Sequence, residues 1–131
     1  MTTRFSRSIE VEGLGHGSAP IPMGARVGNM IFTSGISGKD PETGKLAQGA
    51  EGQAFHAFNN LRLLLEKAGA GMENVGQVTV LTVDESLRDV INVEWLRHFP
   101  DPHDRPARHT TVQQLRGGAL LQLTAIAVLA S

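Results

Sequence analysis

The clearest candidate for a chemical role is Arg108, one basic residue at the mouth of a largely apolar stretch that runs to Val128. A guanidinium offers a planar fork of N–H donors that binds a carboxylate through two hydrogen bonds, and it stays charged at any working pH. Pro106 fixes the backbone just before it, which favours an extended entry. The pattern predicts a carboxylate partner, either a bound ligand or an acidic side chain of the protein.

The neighbours of Arg108 differ in whether they can share its ligand. Residues 109–115 are rich in β-branched and polar types, which is typical of a strand with one wet face. On a regular strand Thr110 lies on the same face as Arg108 and can donate its hydroxyl to the same ligand, whereas His109 points to the other face. Thr110 is therefore a candidate binding residue.

The chain has five histidines, which raises the question of a metal site or a general base. Glu94 and His98 lie one helical turn apart, but no pair has a dense ligand spacing such as His-Glu-x-x-His, so no metal site is expected. Histidine is the natural base near pH 7. His16, His103 and His109 are the candidates for that role.

Composition limits the class of protein. The 131 residues suit one domain spanning 1–131, and a net charge of −1 gives no basic excess for nucleic acid. The absence of cysteine excludes disulfides and thiolate chemistry. No signal peptide is apparent, and no apolar run reaches the ~20 residues of a membrane span. A soluble, cytoplasmic protein without nucleic-acid or membrane partners is expected.

The hydrophobic pattern predicts the order β, β, α, β, α, β, β. A helix is indicated by apolar residues at i, i+3, i+4 and i+7 from Ala54, and Gly69 ends it. A second helix is capped by Asp84 or Ser86. The last segment, 119–130, is almost wholly apolar and is predicted to be a strand covered on both faces. The remaining predictions are strands at 6–11, 30–34, 75–83 and 109–115, loops at 13–22 and 38–45, and turns at 26–29 and 116–118.

Strands alternating with two helices predict an α/β or α+β architecture, with the helices on one face of a mixed sheet of five to six strands. Two helices cannot cover both faces of such a sheet. The second face is left for another copy of the chain, which predicts a homo-oligomer.

The chain resembles the RidA/YjgF family of reactive-intermediate (imine and enamine) deaminases over nearly its whole length. Six pieces in matching order carry the resemblance: Val27–Gly35, Asp40–Gly44, Ala68-Gly69, Asn92, Arg105–Arg108 and Ala125–Val128. The resemblance implies a chorismate-mutase-like fold and a homotrimer with its sites in the clefts between neighbouring subunits. It further implies a small carboxylate-bearing substrate and no cofactor.

Several residues match the family's site. The resemblance implies that Arg108 grips the substrate carboxylate and that Ser34 and Gly35 lie at the substrate. Gly35 would let the backbone approach the ligand closely, although it can equally be a plain strand-ending glycine. Asn92 matches a helix asparagine near the site, and the alternative is a solvated or capping amide.

Two positions depart from the family pattern. The resemblance aligns Thr124 with a glutamate that positions the attacking water, and a threonine is no carboxylate base near neutral pH. Ile21, within Pro20-Ile21-Pro22, takes the place of an aromatic tyrosine and is expected to contact the substrate.

Two functions from different classes remain. The first is a deaminase that hydrolyses a small imine or enamine, with Arg108 as the anchor and Thr124 or an ordered water at the reacting carbon. Its substrate can also be a ring-cleavage product such as 2-aminomuconate. The second is a non-catalytic ligand-binding or regulatory trimer that keeps the arginine and lacks the glutamate.

Overall fold

The computed structural model describes residues 6–130. Helix α1 spans Gly49–Lys67 and helix α2 spans Arg88–His98, and short 3-10 turns at Met72–Asn74 and Glu85–Leu87 precede a strand and α2 respectively. The strands are β1 Ser8–Ile9, β2 Gly24–Val27, β3 Met30–Thr33, β4 Ile36–Ser37, β5 Lys39–Asp40, β6 Lys45–Leu46, β7 Val75–Thr82, β8 Ala107–Val112 and β9 Leu121–Val128.

Seven of these strands form one mixed sheet in the order β1-β2-β3-β9-β7-β8, and β4 pairs with β9 beyond the end of β3. The β7–β8 pair is parallel and the other pairs are antiparallel. The mixed sheet with two helices confirms the predicted class, but the prediction of five to six strands was too low. The missed pieces include β4, whose two residues are too few to show any periodicity.

The strands β8 and β9 are not neighbours, although the sequence between Arg105 and Val128 suggests two strands joined by a short turn. Strand β7 lies between them, because the connection 113–120 passes around its end. Two backbone hydrogen bonds fix that path, from Gln113 to the Thr82 carbonyl at 2.9 Å and from Val83 to the Leu120 carbonyl at 3.0 Å. The predicted glycine turn is present within it, with positive φ at Gly117 and Gly118.

The buried stripe of α1 packs on one face of the sheet and forms the core with it, as predicted. Gly69 follows the end of the helix, and its φ of +82° allows the Ala70 amide to donate to the Leu65 carbonyl at 2.7 Å. Helix α2 joins the same layer, where His98 stacks on Phe58 with ring centroids 5.8 Å apart. The stripe comprises Ala54, Ala57, Phe58, Leu61, Leu64 and Leu65.

Strand β9 is covered on one face only, which corrects the expectation of a strand buried on both faces. Its residues alternate between buried side chains, which face the helices, and half-exposed ones, which face away. Leu121, Leu123 and Ala125 are buried, while Gln122 and Thr124 lie on the face that neither α1 nor α2 covers. The apolar run misled because the half-exposed positions also carry apolar residues, such as Ile126.

Other local predictions hold with shifted bounds. Asp84 is a cap, but its carboxylate accepts from the Ser86 amide at 2.8 Å and so caps the 3-10 turn before α2. The segment 38–45, predicted as a surface loop, contains the two-stranded β5–β6 hairpin. Within residues 6–130, neither helix is long and apolar enough to cross a lipid bilayer.

Candidate functional site

A cavity of about 440 Å³ lies where the loop before β2 meets the β3–β4 junction and the connection into β9. Its lining combines backbone, neutral polar groups and basic side chains. The residues that matter for chemistry are His16, Gly35, Lys39, Arg116 and Gln122. In the part of the chain that the structure describes, no aspartate or glutamate lines this cavity.

Gly35 reaches the cavity because the chain breaks from β3 to β4 at this point. The Ser34 hydroxyl donates to the Pro22 carbonyl at 2.7 Å, and the Thr33 hydroxyl accepts from the Ala125 amide at 2.9 Å. A methyl group added at Gly35 would come within 2.9 Å of the Gln122 side-chain oxygen. Gly35 and the Gln122 amide are therefore in direct proximity, and the absence of a side chain at Gly35 keeps the space between them open.

His16 lies beside the same glycine. Its Nε2 is 3.1 Å from the Gly35 carbonyl oxygen, and a carbonyl only accepts, so Nε2 carries the proton in this contact. In the neutral ring the lone pair is then on Nδ1, which is buried and has no hydrogen-bond partner among the described residues. His16 was one of the candidate bases, and it is the one that the fold brings to the cavity.

Asn60 holds the backbone that forms one wall. Its side-chain amide donates to the Ser37 carbonyl at 3.1 Å and to the Lys39 carbonyl at 2.8 Å, and the residue is completely buried. Both acceptors belong to β4 and β5, whose residues Ser37 and Lys39 line the cavity. A helix of the core thus fixes the position of a site wall.

Arg108 lies elsewhere, on the edge strand β8. Its guanidinium carbon is 5.1 Å from the centre of the Trp95 ring, and its Nε donates to the Thr110 hydroxyl at 3.2 Å. Burial, and to a smaller degree the charge of Arg88, lower the pKa of Arg108 below its ordinary value. An arginine remains protonated at neutral pH all the same. None of the three ion pairs found within residues 6–130 includes it.

The sheet separates Arg108 from the residues of β9 that the sequence singles out. Arg108 is in register with the buried Val78 and contacts α2, so it lies on the helix-covered face. Thr124 is in register with Thr79 and lies on the opposite face. One chain therefore cannot present Arg108 and Thr124 to the same small ligand.

The remaining predicted site residues have separate positions. Thr124 lines a shallow depression with Phe32, Gln77 and Thr79, apart from the cavity at Gly35. Ile21 is exposed in the loop before β2, and Asn92 is half-buried on α2, one turn before Trp95. His103 and His109 are exposed. The described residues contain no cluster of three or more potential metal ligands.

Sequence reasoning missed four residues that the geometry brings forward: Gln122, Lys39, Arg116 and Trp95. The signal for Gln122 was available, since strand alternation places it on the same face as Thr124, two residues away. The other three depend on tertiary packing, and no local pattern distinguishes them from ordinary surface or core residues.

The comparisons with known proteins agree on one family. The model of the endoribonuclease L-PSP family matches residues 19–129. A RutC family protein of Aquifex aeolicus is 34% identical over 116 residues, covering 84% of this chain and 93% of the relative. The 2-iminobutanoate/2-iminopropanoate deaminase of Salmonella typhimurium is 28% identical over 126 residues, covering 95% and 98%.

A solved structure gives the same answer for the fold. RidA from the Antarctic bacterium Psychrobacter superposes with a TM-score of 0.86 at 27% identity, covering 95% of this chain and 100% of that one. The family resemblance of the sequence is thereby confirmed, together with the α+β fold of two helices on a mixed sheet. This chain belongs to the endoribonuclease L-PSP family, the family of the RidA/YjgF proteins.

Proposed function

We propose that this protein hydrolyses a small carboxylate-bearing imine or enamine to a keto acid and ammonia, at sites between neighbouring subunits of a homotrimer. The observation that carries the proposal is the state of Arg108: a guanidinium held by Trp95 and Thr110, with no acidic partner among residues 6–130. The name of the Salmonella relative, a 2-iminobutanoate/2-iminopropanoate deaminase, supports the substrate class.

The arrangement of the two faces supports a site shared between subunits. Arg108 does not line the cavity at Gly35 and lies on the other side of the sheet from Gln122. A ligand that touches both must therefore contact two chains. In the proposed trimer the open sheet face is buried against the neighbours, and Arg108 of one subunit meets Gly35, His16 and Gln122 of the next.

The chemistry needs few groups. Arg108 and the Thr110 hydroxyl hold the carboxylate of the substrate, and the Gly35 backbone lies against its imine end. A water oxygen adds to the C=N carbon, the nitrogen takes up protons, and the C–N bond of the carbinolamine breaks to release ammonia and leave a C=O. An enamine first takes a proton at carbon to become the imine. His16, the histidine that lines the cavity, is assigned the role of accepting a proton from that water.

The position of the water-orienting residue is the part of the proposal that departs from the sequence alignment. Gln122 lies against Gly35, whereas Thr124 lines a different depression. A Gln122 amide or a Thr124 hydroxyl can orient water but cannot act as a base near neutral pH. Introducing a carboxylate at Gln122 or at Thr124, one at a time, distinguishes which of the two positions orients the water.

The test is ammonia release from freshly generated 2-iminopropanoate, corrected for the uncatalysed rate. We expect activity in the wild type and a KM increase of about tenfold to a hundredfold in Arg108→Ala, as for a lost charge-assisted bidentate contact. Gln122→Glu is expected to raise kcat, and Thr124→Glu serves as its matched control. If the wild-type protein releases ammonia no faster than buffer alone, the proposed deaminase activity is refuted.

A second function is favoured by one observation, the absence of any acidic side chain of the described residues from the lining of the cavity. Such a cavity suits a non-catalytic ligand-binding or regulatory trimer. This reading predicts that 2-oxobutanoate binds in calorimetry and that Arg108→Ala weakens it, without imine turnover. A ribonuclease, which the description of the family model names, is disfavoured by the net charge of −1.

A further inference from the structure

The cavity at Gly35 carries more positive charge than a three-carbon substrate requires. Lys39 and Arg116 both line it, beside His16, and no carboxylate of residues 6–130 lines it with them. The Lys39 ammonium is fixed by a 2.8 Å hydrogen bond to the Gly15 carbonyl, and Arg116 is exposed. Neither residue takes part in the ion pairs found within residues 6–130.

Two like charges at one concave surface repel each other, and apolar walls strengthen their common field. Leu14, Met23 and Leu46 supply such walls here. An anion bound between the two positive charges offsets their repulsion and is attracted by both. The cavity therefore presents two cationic side chains that an anion can contact, in addition to Arg108, which lies outside it.

We propose that this cavity receives a second anionic group, so that the preferred substrate is the imine of a dicarboxylic amino acid. This inference rests on the proposed function. The carboxylate next to the C=N bond binds Arg108 of one subunit, and the distal carboxylate lies between Lys39 and Arg116 of the next. The volume of about 440 Å³ falls within the usual range of small-molecule sites, roughly 300–1,000 Å³, and has room for the longer molecule.

The distal group takes no part in the bond changes. Water adds to the C=N carbon and ammonia leaves, as for the shorter imine, while the distal carboxylate sets affinity and orientation. Lys39 and Arg116 are thus specificity-determining residues. Their removal is expected to act on KM for the dicarboxylic substrate, because a uniform binding contact changes KM and leaves kcat.

The experiment compares two imines generated in place by amino-acid oxidases, one from alanine and one from glutamate. The measured quantity is the ratio of kcat/KM for the glutamate imine to that for the alanine imine. We expect this ratio to fall about tenfold in Arg116→Gln and further in the double variant with Lys39→Gln. Lys67→Gln, which removes an exposed charge at the end of α1, is the matched control and is expected to leave the ratio unchanged.

A parallel calorimetric titration with 2-oxoglutarate and 2-oxobutanoate keeps this inference separate from the enzyme itself. Tighter binding of 2-oxoglutarate that is lost in Arg116→Gln supports the anion site even where no imine is hydrolysed. Hydrolysis of both imines at a ratio that the variants do not change would overturn the inference and leave the deaminase intact. Equal binding of the two keto acids by wild type and variants would overturn it as well.

Discussion

The hydrogen bonds of Asn60 give a prediction that links the core to the site wall. Its amide donates to the carbonyls of Ser37 and Lys39 at 3.1 and 2.8 Å, while its own oxygen, also buried, has no partner among the described residues. The stabilising part of Asn60 is therefore its NH₂ group. Asn60→Leu removes both donors at similar volume and leaves two carbonyls without those partners.

The expected loss follows from the two hydrogen bonds that disappear. Each contributes about 0.5–1.5 kcal/mol net, so Asn60→Leu is expected to lose about 2 kcal/mol of unfolding free energy. Asn60→Asp places a carboxylate against the same carbonyls. Burial raises the pKa of the introduced carboxyl, so its destabilisation is smallest at low pH, where the group is protonated and can donate one hydrogen bond, and grows as pH rises through the folded-state pKa.

The assay is urea unfolding of wild type, Asn60→Leu and Asn60→Asp at pH 5 and pH 8, at one protein concentration, since assembly shifts apparent stability. Trp95 is the sole tryptophan and provides the fluorescence signal. Each variant is compared with wild type at the same pH. A loss below about 0.5 kcal/mol in Asn60→Leu would refute the role of the donors, and an equal loss for Asn60→Asp at both pH values would refute the charge argument.

Three further predictions concern glycine packing, the half-buried His98 and the Trp95 ring beneath Arg108. Gly38→Ala is expected to prevent folding or to lower the unfolding free energy by about 3 kcal/mol, because the added methyl overlaps the backbone of α1. In Gly35→Ala the methyl meets only the movable end of a side chain, so the expected loss is under about 1 kcal/mol. Equal losses of unfolding free energy for the two variants in urea would contradict this. The pKa of His98 is lowered mainly by burial and further by the charges of Arg62 and Arg97. Below about pH 6.5 the unfolded chain therefore binds more protons at this residue than the folded chain does, and the unfolding free energy is expected to fall as the pH drops. A His98→Phe variant keeps a ring on Phe58 and is expected to show a shallower fall between pH 7.5 and 5.5; an unchanged slope would assign the effect to other groups. Trp95→Leu removes the ring under the Arg108 guanidinium and is expected to weaken 2-oxobutanoate binding about threefold. Trp95→Phe is expected to have an intermediate Kd. An unchanged Kd in a folded Trp95→Leu variant would show that the ring does not orient the arginine.

Local patterns were enough for some of the architecture and part of the site. The spacing of apolar residues predicts α1, and strand alternation predicts that Arg108 and Thr110 share a face, where they are hydrogen bonded. These properties depend on residues within one or two turns or pleats of each other. The same holds for the glycine that ends α1.

Pairing between distant segments was beyond such patterns. Nothing near Arg108 indicates that β7 separates β8 from β9, because register between strands is set by contacts far apart in sequence. The proximity of Gln122 to Gly35 has the same origin, since it follows from the pairing of β4 with β9. The two-residue strands are fixed by their neighbours and have no periodicity of their own.

The central place of β9 in the sheet has a consequence for how the chain is made. This strand pairs with β3, β4 and β7, yet it follows all three in sequence. During synthesis, β3, β4 and β7 lack this pairing partner until residues 121–128 have left the ribosome. A nascent chain that stalls before that point exposes two unsatisfied strand edges and a helix stripe, the features that promote aggregation and attract chaperones. Strand β9 thus joins β1-β2-β3 to β7-β8 only after both of these parts have been made.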